Sequence, residues 1–229
     1  MTHPGELLKS RNLYAGKEMG QNFLSDPGTA QMIVDQAGIT GDTLVLEVGP
    51  GLGALTLPLA RAAGKVVAVE KDRRIIPLLE GELADAGLTN VTIINQNILK
   101  TDIREIAGDS RLVVMGNLPY NISSQILFKL VKTRSVVEKA FLMFQKELAV
   151  RLKAEPGGRD YSRLSAVVQY AARISHMANI RPNSFFPRPD VDSTVLRFDF
   201  FETPGMNEER EDLLFAVIKA AFSDRKSVV

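Results

Sequence analysis

TLVLEVGPGLGALTLPLARAAGKVVAVE, Thr43 to Glu70, is the stretch on which the fold turns. Its first run, TLVLEVG, is short and rich in aliphatic residues, and so is its last, KVVAVE; between them PGLGAL opens a helical stretch that reaches about Gly64. Two buried strands with a helix between them make a right-handed parallel unit. The turn Glu47-Val48-Gly49-Pro50-Gly51-Leu52-Gly53 then falls between the first strand and its helix, where backbone must approach a ligand without side-chain obstruction. Glu70 ends the second strand twenty-one residues after Gly49, the spacing at which a carboxylate accepts hydrogen bonds from ribose hydroxyls.

The alternation continues outward from this unit. Upstream, Ser25-Asp26-Pro27 reads as a helix start and Gly38 as its stop, preceded by a polar, glycine-containing arm. Downstream come a helix from about Arg73 to Ala86, the strand VTIIN, a loop, the strand RLVVM, a helix from Ser123 to Lys132 and the strand AFLMF. Five strands alternating with helices predict a doubly wound parallel sheet covered on both faces. The pattern then changes to helices over Gln145 to Ala154 and LSAVVQYAA, followed by two more strands, RISHMANI and TVLRFDF, joined by the loop RPNSFFPRPDVD. The expectation is an α/β, Rossmann-like fold with a mostly parallel seven-stranded sheet, and a last helix from about Asn207 to Phe222.

Two cofactor classes fit the glycine turn. Gly49-x-Gly51-x-x-Ala54 satisfies the dinucleotide fingerprint, which keeps a nicotinamide oxidoreductase open. Glu47 favours the other class, because a carboxylate beside the turn opposes a pyrophosphate but suits the ammonium of the methionyl end of S-adenosylmethionine.

GNLPYNISS, Gly116 to Ser124, leaves the fourth strand at the edge where open α/β sheets hold their ligands. It can be a simple turn with a packed tyrosine. It also fits methylation of an exocyclic base amine, whose lone pair is delocalised into the ring and which must be held rigidly. The Asn117 side-chain oxygen and the Leu118 carbonyl can each accept one N–H, Pro119 stiffens the loop, and the Tyr120 ring can stack on the base. Stacking contributes roughly 1–3 kcal/mol, whereas aligning two reactants removes about 7–11 kcal/mol of barrier. Positioning therefore outweighs any single contact. Phe185, in SFFPRPDVDS, is the candidate for closing an aromatic sandwich on the base, with a core phenylalanine as the plainer reading.

Composition sets outer bounds. At 229 residues, 45% apolar and 24% charged, the chain can form one full α/β domain and part of another. It has no cysteine, which excludes disulfides and thiolate chemistry, and only His3 and His176 as imidazoles, so no metal site is expected. No signal-like or membrane-spanning apolar run is present, and a cytoplasmic, unanchored monomer is expected. The net charge of +1 hides a local excess of nine basic over four acidic residues from Lys129 to Arg163. That excess fits either a solvated helix face or a surface turned toward phosphates.

Taken together, GQNFL from Gly20, EVGPGLGALT from Glu47, VAVEKD from Val67, GNLPYNIS from Gly116, FQKE from Phe144, YSRLS from Tyr161 and FFPRPDVDS from Phe185 resemble, in order and spacing, the KsgA-type small-subunit ribosomal RNA adenine N6,N6-dimethyltransferases. The resemblance extends from Lys17 to about Phe222. The related erythromycin-resistance methyltransferases share the Asn-x-Pro-Tyr element, but FQKE, RLS and the F-x-P-x-P-x-V-D-S loop resemble the ribosomal dimethyltransferases. The resemblance implies a Rossmann-like methyltransferase fold that binds S-adenosylmethionine and releases S-adenosylhomocysteine. It implies a donor site drawn from Gln21, Asn22, Leu24, Glu47, Gly49, Gly51, Glu70, Lys71, Asn97, Ile98 and Asn117, closed by the N-terminal arm. The implied target is a pair of adjacent adenosines in a hairpin near the 3′ end of 16S rRNA, each methylated twice, within the small ribosomal subunit or its precursor. An rRNA-binding assembly factor with weakened catalysis is the alternative.

Two departures from the family pattern stand out. Asn97, in QNILK, occupies the place where the family usually carries an aspartate for the adenine amine, and a neutral amide should hold that amine more weakly. The chain also stops at AAFSDRKSVV, where the family continues into a small helical domain. The expected organisation is a methyltransferase domain with its arm over 1–203 and the first helix of a truncated helical domain over 204–229, with donor binding retained and rRNA methylation weakened.

Overall fold

The structure is a computed structural model and describes residues 1–16, 21–119, 121–201 and 207–223. In chain order the elements are α1 (Pro4–Ser10), β1 (Phe23–Leu24), α2 (Pro27–Ala37), β2 (Leu44–Val48), α3 (Thr56–Ala62), β3 (Lys65–Glu70), α4 (Ile76–Asp85), β4 (Val91–Asn95) and α5 (Ile103–Ala107). They continue with β5 (Leu112–Asn117), α6 (Ser123–Lys132), β6 (Val137–Gln145), α7 (Lys146–Lys153), α8 (Arg163–Ala171), β7 (Ala172–Ile180), β8 (Phe185–Phe186), β9 (Ser193–Phe200) and α9 (Glu208–Ser223).

The main sheet holds seven strands in the order β4-β3-β2-β5-β6-β9-β7. It is parallel from β4 to β6, and β9 runs antiparallel to both its neighbours. Strands β2, β3 and β5 are buried along nearly all their length, because the crossover helices cover both faces. Successive side chains divide between two cores. Val45, Val113 and Met115 pack with Ile33, Val34 and Leu59 on one face. Leu46, Val48 and Val114 pack with Ile126, Leu130 and Val167 on the other. Each such side chain contributes about 1.5–3 kcal/mol on burial, so a slip of one residue in any central strand would forfeit many of these contacts together.

Strand order reverses between β2 and β5, so their carboxyl ends flank a crevice. Gly116 lets β5 lie close to β2 there: a Cβ on it would stand 2.6 Å from the Val48 carbonyl oxygen. The main strands and helices fall where the periodicity places them. The helix expected from Arg73 begins at Ile76, after a turn, and the strand read as AFLMF spans Val137–Gln145.

The arm contains a helix that periodicity does not announce. In α1 the His3 side chain accepts the Gly5 N–H and Pro4 occupies the first helical turn. The loop between β4 and β5 likewise holds α5, capped by Asp102 and ended at Gly108. A second, two-stranded sheet joins the arm to the proline-rich loop, with Phe23 opposite Phe186 and Leu24 opposite Phe185.

Helix α9 is docked on the sheet unit. The Tyr170 and Phe215 rings meet edge to face at 5.8 Å, and Arg134 NH1 donates to Glu211 Oε2 at 3.1 Å while its NH2 donates to Glu211 Oε1. Lys132 pairs with Asp212 at 3.3 Å, Lys139 with Glu138 at 2.7 Å, and the Arg163 guanidinium lies 5.1 Å from the Phe128 ring centroid. Two of the nine basic residues from Lys129 to Arg163 thus meet acids at the start of α9, Arg134 in a buried pair with Glu211 and Lys132 at the surface with Asp212. Among the described residues no helix is long and apolar enough to cross a membrane, and no three metal-ligating side chains gather.

Candidate active site

A cavity of about 180 Å³ opens at the carboxyl ends of β2, β3 and β5, with the segment from Gln21 to Leu24 along its border. Gln21, Asn22, Leu24, Glu47, Gly49, Gly51, Glu70, Lys71, Asn97, Ile98, Asn117, Leu118 and Pro119 all line it. They come from five separate segments of the chain, which the strand order brings together.

Glu47, at the end of β2, is 1% exposed. Burial pushes its carboxyl up to about 8, the nearby Thr56 hydroxyl pulls it down in part, and the charge of Glu70 raises it further. The Thr56 contact falls short of hydrogen-bond geometry, leaving both Glu47 Oε2 and the Thr56 hydroxyl buried without a hydrogen-bond partner. An orphaned buried carboxylate oxygen on a cavity wall is costly unless a cation or donor enters to meet it. Gly49 follows with φ +67 and nothing within 4 Å of where a Cβ would be, so the turn leaves open space for a ligand against bare backbone.

Glu70, at the end of β3, accepts the Asp72 N–H at Oε1 (2.7 Å) and the Gly51 N–H at Oε2 (3.2 Å). Burial raises its carboxyl, and these backbone donors oppose the rise. The carboxylate is therefore fixed in orientation and retains lone pairs for ribose hydroxyls. Asn97 makes a local turn in which its Oδ1 accepts the Leu99 N–H at 3.0 Å. These residues fit S-adenosylmethionine: a buried carboxyl to pair with its ammonium, a glycine cradle, a fixed carboxylate for its ribose, and Asn97 with Ile98 on the wall beyond for the purine.

At the other end of the cavity, Asn117 Nδ2 donates to the Asn22 carbonyl at 2.9 Å. That bond leaves the amide oxygen as the group Asn117 can offer to a second ligand. Leu118 is 1% exposed and its N–H reaches the Met143 carbonyl at 3.3 Å, while the Pro119 carbonyl accepts the Ile122 N–H and the Ser123 hydroxyl. The loop is thereby tied to β6 and to the start of α6. Tyr120 lies outside the described residues.

Phe185 departs from expectation. Its pairing with Leu24 turns it into the core, where it is 4% exposed and packs with Ile33, Met143, Ile180 and Val195. It does not line the cavity, and its place is beneath Leu24 rather than against a base. Phe186, on the opposite face of that short strand, is the exposed ring and lies edge-on to His3.

The sequence motifs did not single out Thr56 or Asp72. Asp72 is 4% exposed and accepts from Arg74 through both carboxylate oxygens (2.9 and 2.8 Å), and from Gln21 Nε2 at 3.0 Å. Its carboxyl is held below the usual range, first by Arg74. The available signal was its position two residues after Glu70, at the same strand end. The Gln21 amide is engaged at both ends, since its Oε1 accepts the Gly16 N–H at 2.8 Å.

A Rossmann-like sheet whose switch-point cavity pairs this donor-side wall with an amide-bearing loop defines an S-adenosylmethionine-dependent methyltransferase. The pattern that describes the family "Ribosomal RNA adenine dimethylase" matches residues 13–229, and the chain belongs to that family. It is 53% identical over 229 residues to "Ribosomal RNA small subunit methyltransferase A" of Desulforapulum autotrophicum, covering 100% of this chain and 81% of that protein. A solved dimethyladenosine transferase from Plasmodium falciparum superposes with a TM-score of 0.78 at 32% identity, over 88% of this chain and 70% of that one. The 23S rRNA methyltransferase ErmE superposes at 0.73 with 27% identity, over 89% and 80%. Family membership sets aside the nicotinamide alternative.

Proposed function

We propose that this chain transfers methyl groups from S-adenosylmethionine to the N6 amines of two adjacent adenosines in a hairpin near the 3′ end of 16S rRNA, two to each, within the cytoplasmic small subunit or its precursor. Residues 1–203 form the methyltransferase domain in this reading, and α9 belongs to a helical extension. The observation that carries it is the Asn117 amide, fixed by the Asn22 carbonyl at the end of β5 with its oxygen left to accept.

Bound S-adenosylmethionine supplies an electrophilic methyl group on a sulfonium. Glu47 holds the ammonium, Gly49 and Gly51 admit the ligand to the backbone, Glu70 takes the ribose, and Lys71, Asn97 and Ile98 border the purine. On the acceptor side the Asn117 oxygen and the Leu118 carbonyl accept the two N6–H bonds. In the first transfer both hydrogens would be engaged and in the second the one that remains, which would favour the pyramidal form of the nitrogen; as its lone pair forms the N–C bond the C–S bond would break and S-adenosylhomocysteine would leave. Pro119 keeps the loop rigid, and Tyr120, outside the described residues, is the candidate read from the sequence for stacking on the base. No strong base is needed, because the nitrogen gives up its proton late in the transfer or after it.

Radiolabelled S-adenosylmethionine with unmethylated small subunits tests this. The expected product is N6,N6-dimethyladenosine by nucleoside mass analysis, lowered about a hundredfold by Asn117→Ala. Subunits left unlabelled by the wild-type chain would refute the assignment and favour an assembly factor without catalysis.

A further inference from the structure

The segment Gln21–Leu24 crosses the cavity border between its two working ends, and each end of the segment is tied to a different one. At the ribose end, the Gln21 amide donates to Asp72 Oδ2 at 3.0 Å, and the Asp72 N–H in turn donates to the Glu70 carboxylate at 2.7 Å. At the methyl-transfer end, the next residue, Asn22, offers the carbonyl that orients the Asn117 amide at 2.9 Å. Beyond it, Leu24 pairs with Phe185 and the Ser25 N–H reaches the Ser184 carbonyl at 2.7 Å, which anchors the far side of the strap.

Asp72 is built to hold this junction. Arg74 engages both of its oxygens and its own backbone N–H adds a third bond at 3.1 Å, so the carboxylate cannot turn away from Gln21. The Arg74 side chain is itself half-exposed, 51%, and serves as an outer brace rather than as a wall of the cavity.

We propose that Asp72 and Gln21 are positioning residues that latch the strap, so that the group holding the donor's ribose and the group orienting the acceptor amide are set by one continuous set of bonds. The latch acts through Glu70 on one side and through Asn22 and Asn117 on the other. It rests on the methyltransferase reading above. A lid that served donor binding alone would not reach Asn117; a latch sets donor affinity and the rate at donor saturation together.

Gln21→Glu breaks the contact. The carboxylate keeps the oxygen that accepts the Gly16 N–H and loses the amide N–H groups, the one given to Asp72 among them, setting two acceptors and two negative charges against each other. Adding Asp72→Asn to the same chain restores a donor across the contact with the polarity reversed, at the cost of the Arg74 bond that shares Asp72 Oδ2. The measurements are the dissociation constant of S-adenosylhomocysteine by calorimetry, and kcat on unmethylated small subunits at saturating S-adenosylmethionine. For Gln21→Glu the expected results are an affinity loss of about tenfold, equivalent to about 1.4 kcal/mol, and a kcat reduced by at least about fivefold. For the double variant both should improve at least about threefold on the single variant. An unchanged kcat in the single variant would overturn the coupling, as would a double variant no better than the single one. A wild-type chain that binds no S-adenosylhomocysteine and labels no subunit would overturn the functional reading itself, and the latch with it.

Discussion

Asn97→Asp should tighten the donor site, and the reason lies in which atom Asn97 has left to offer. Its Oδ1 already accepts the Leu99 N–H at 3.0 Å, and its backbone carbonyl closes the same turn by accepting the Lys100 N–H at 2.8 Å. The side-chain atom that remains is Nδ2, a donor, whereas the purine amine it is read as meeting is also a donor. The oxygen can serve both only by sharing its second lone pair. An aspartate in the same turn would keep the Leu99 bond on one oxygen and present the other as a charged acceptor. A hydrogen bond to a charged group contributes about 1.5–3 kcal/mol against about 0.5–1.5 for a neutral one, so the gain is about 1 kcal/mol, or about fivefold in affinity. Calorimetric titration with S-adenosylhomocysteine, and with the analogue carrying a carbonyl in place of the purine amine, checks the direction as well as the size. The substitution should strengthen the amino ligand and weaken the oxo ligand. Equal affinities for S-adenosylhomocysteine in both chains, or a parallel change for both ligands, would refute the reasoning.

Glu47 should make donor binding depend on pH. Its folded value of about 8 lies above the ordinary 4.5, so the empty protein holds a proton that the unfolded chain has released, and stability falls as pH rises across that window. Pairing with an ammonium expels the proton, so affinity for S-adenosylhomocysteine should climb from pH 6 to about pH 8 and level off there, while Glu47→Gln flattens the curve; a pH-independent wild type would contradict this. Gly116→Ala should cost about 1–3 kcal/mol by urea denaturation and lower methyl transfer, because its Cβ would lie 2.6 Å from the Val48 carbonyl oxygen and push β5, with Asn117 at its end, away from β2. Arg134→Met should destabilise the chain by about 3 kcal/mol, since it strands a Glu211 side chain only 13% exposed. Adding Glu211→Leu should recover most of that loss, and urea midpoints of the single and double variants would show it.

The central strands were legible because each is a continuous apolar run buried on both faces, which local sequence displays directly. Thr43 to Glu70 already contains two such runs, a helix and a glycine turn, and that is enough to specify the doubly wound class. Helices α1 and α5 escaped because seven and five residues give too few turns for periodicity, and only their caps, His3 and Asp102, mark them. Strands β1 and β8 have two residues each and exist only by pairing with one another, so no local pattern could report them. That same pairing decided Phe185, since alternation over two residues gives no inside or outside until the partner strand is placed. The basic segment from Lys129 to Arg163 could not be interpreted alone either, because Glu211 and Asp212, far along the chain, neutralise part of it.

The site divides along the same line. Glu47, Gly49, Glu70 and Asn117 could be nominated because strand end and chemistry coincide within a few residues at each position. Gln21, Asp72 and Asn22 are tied in by bonds that span long separations, 51 residues from Gln21 to Asp72 and 95 from Asn22 to Asn117, and those partners are invisible to any local pattern. The distinction has a physical basis. Groups that meet the ligand must sit where backbone geometry already exposes them, whereas groups that hold those in place can come from anywhere the fold brings close. Glu47 shows why the second set matters: burial raises its carboxyl to about 8, so the proton it holds near neutral pH must leave when an ammonium pairs with it. In the proposed latch, the strap that shares the cavity border links that exchange to the orientation of Asn117.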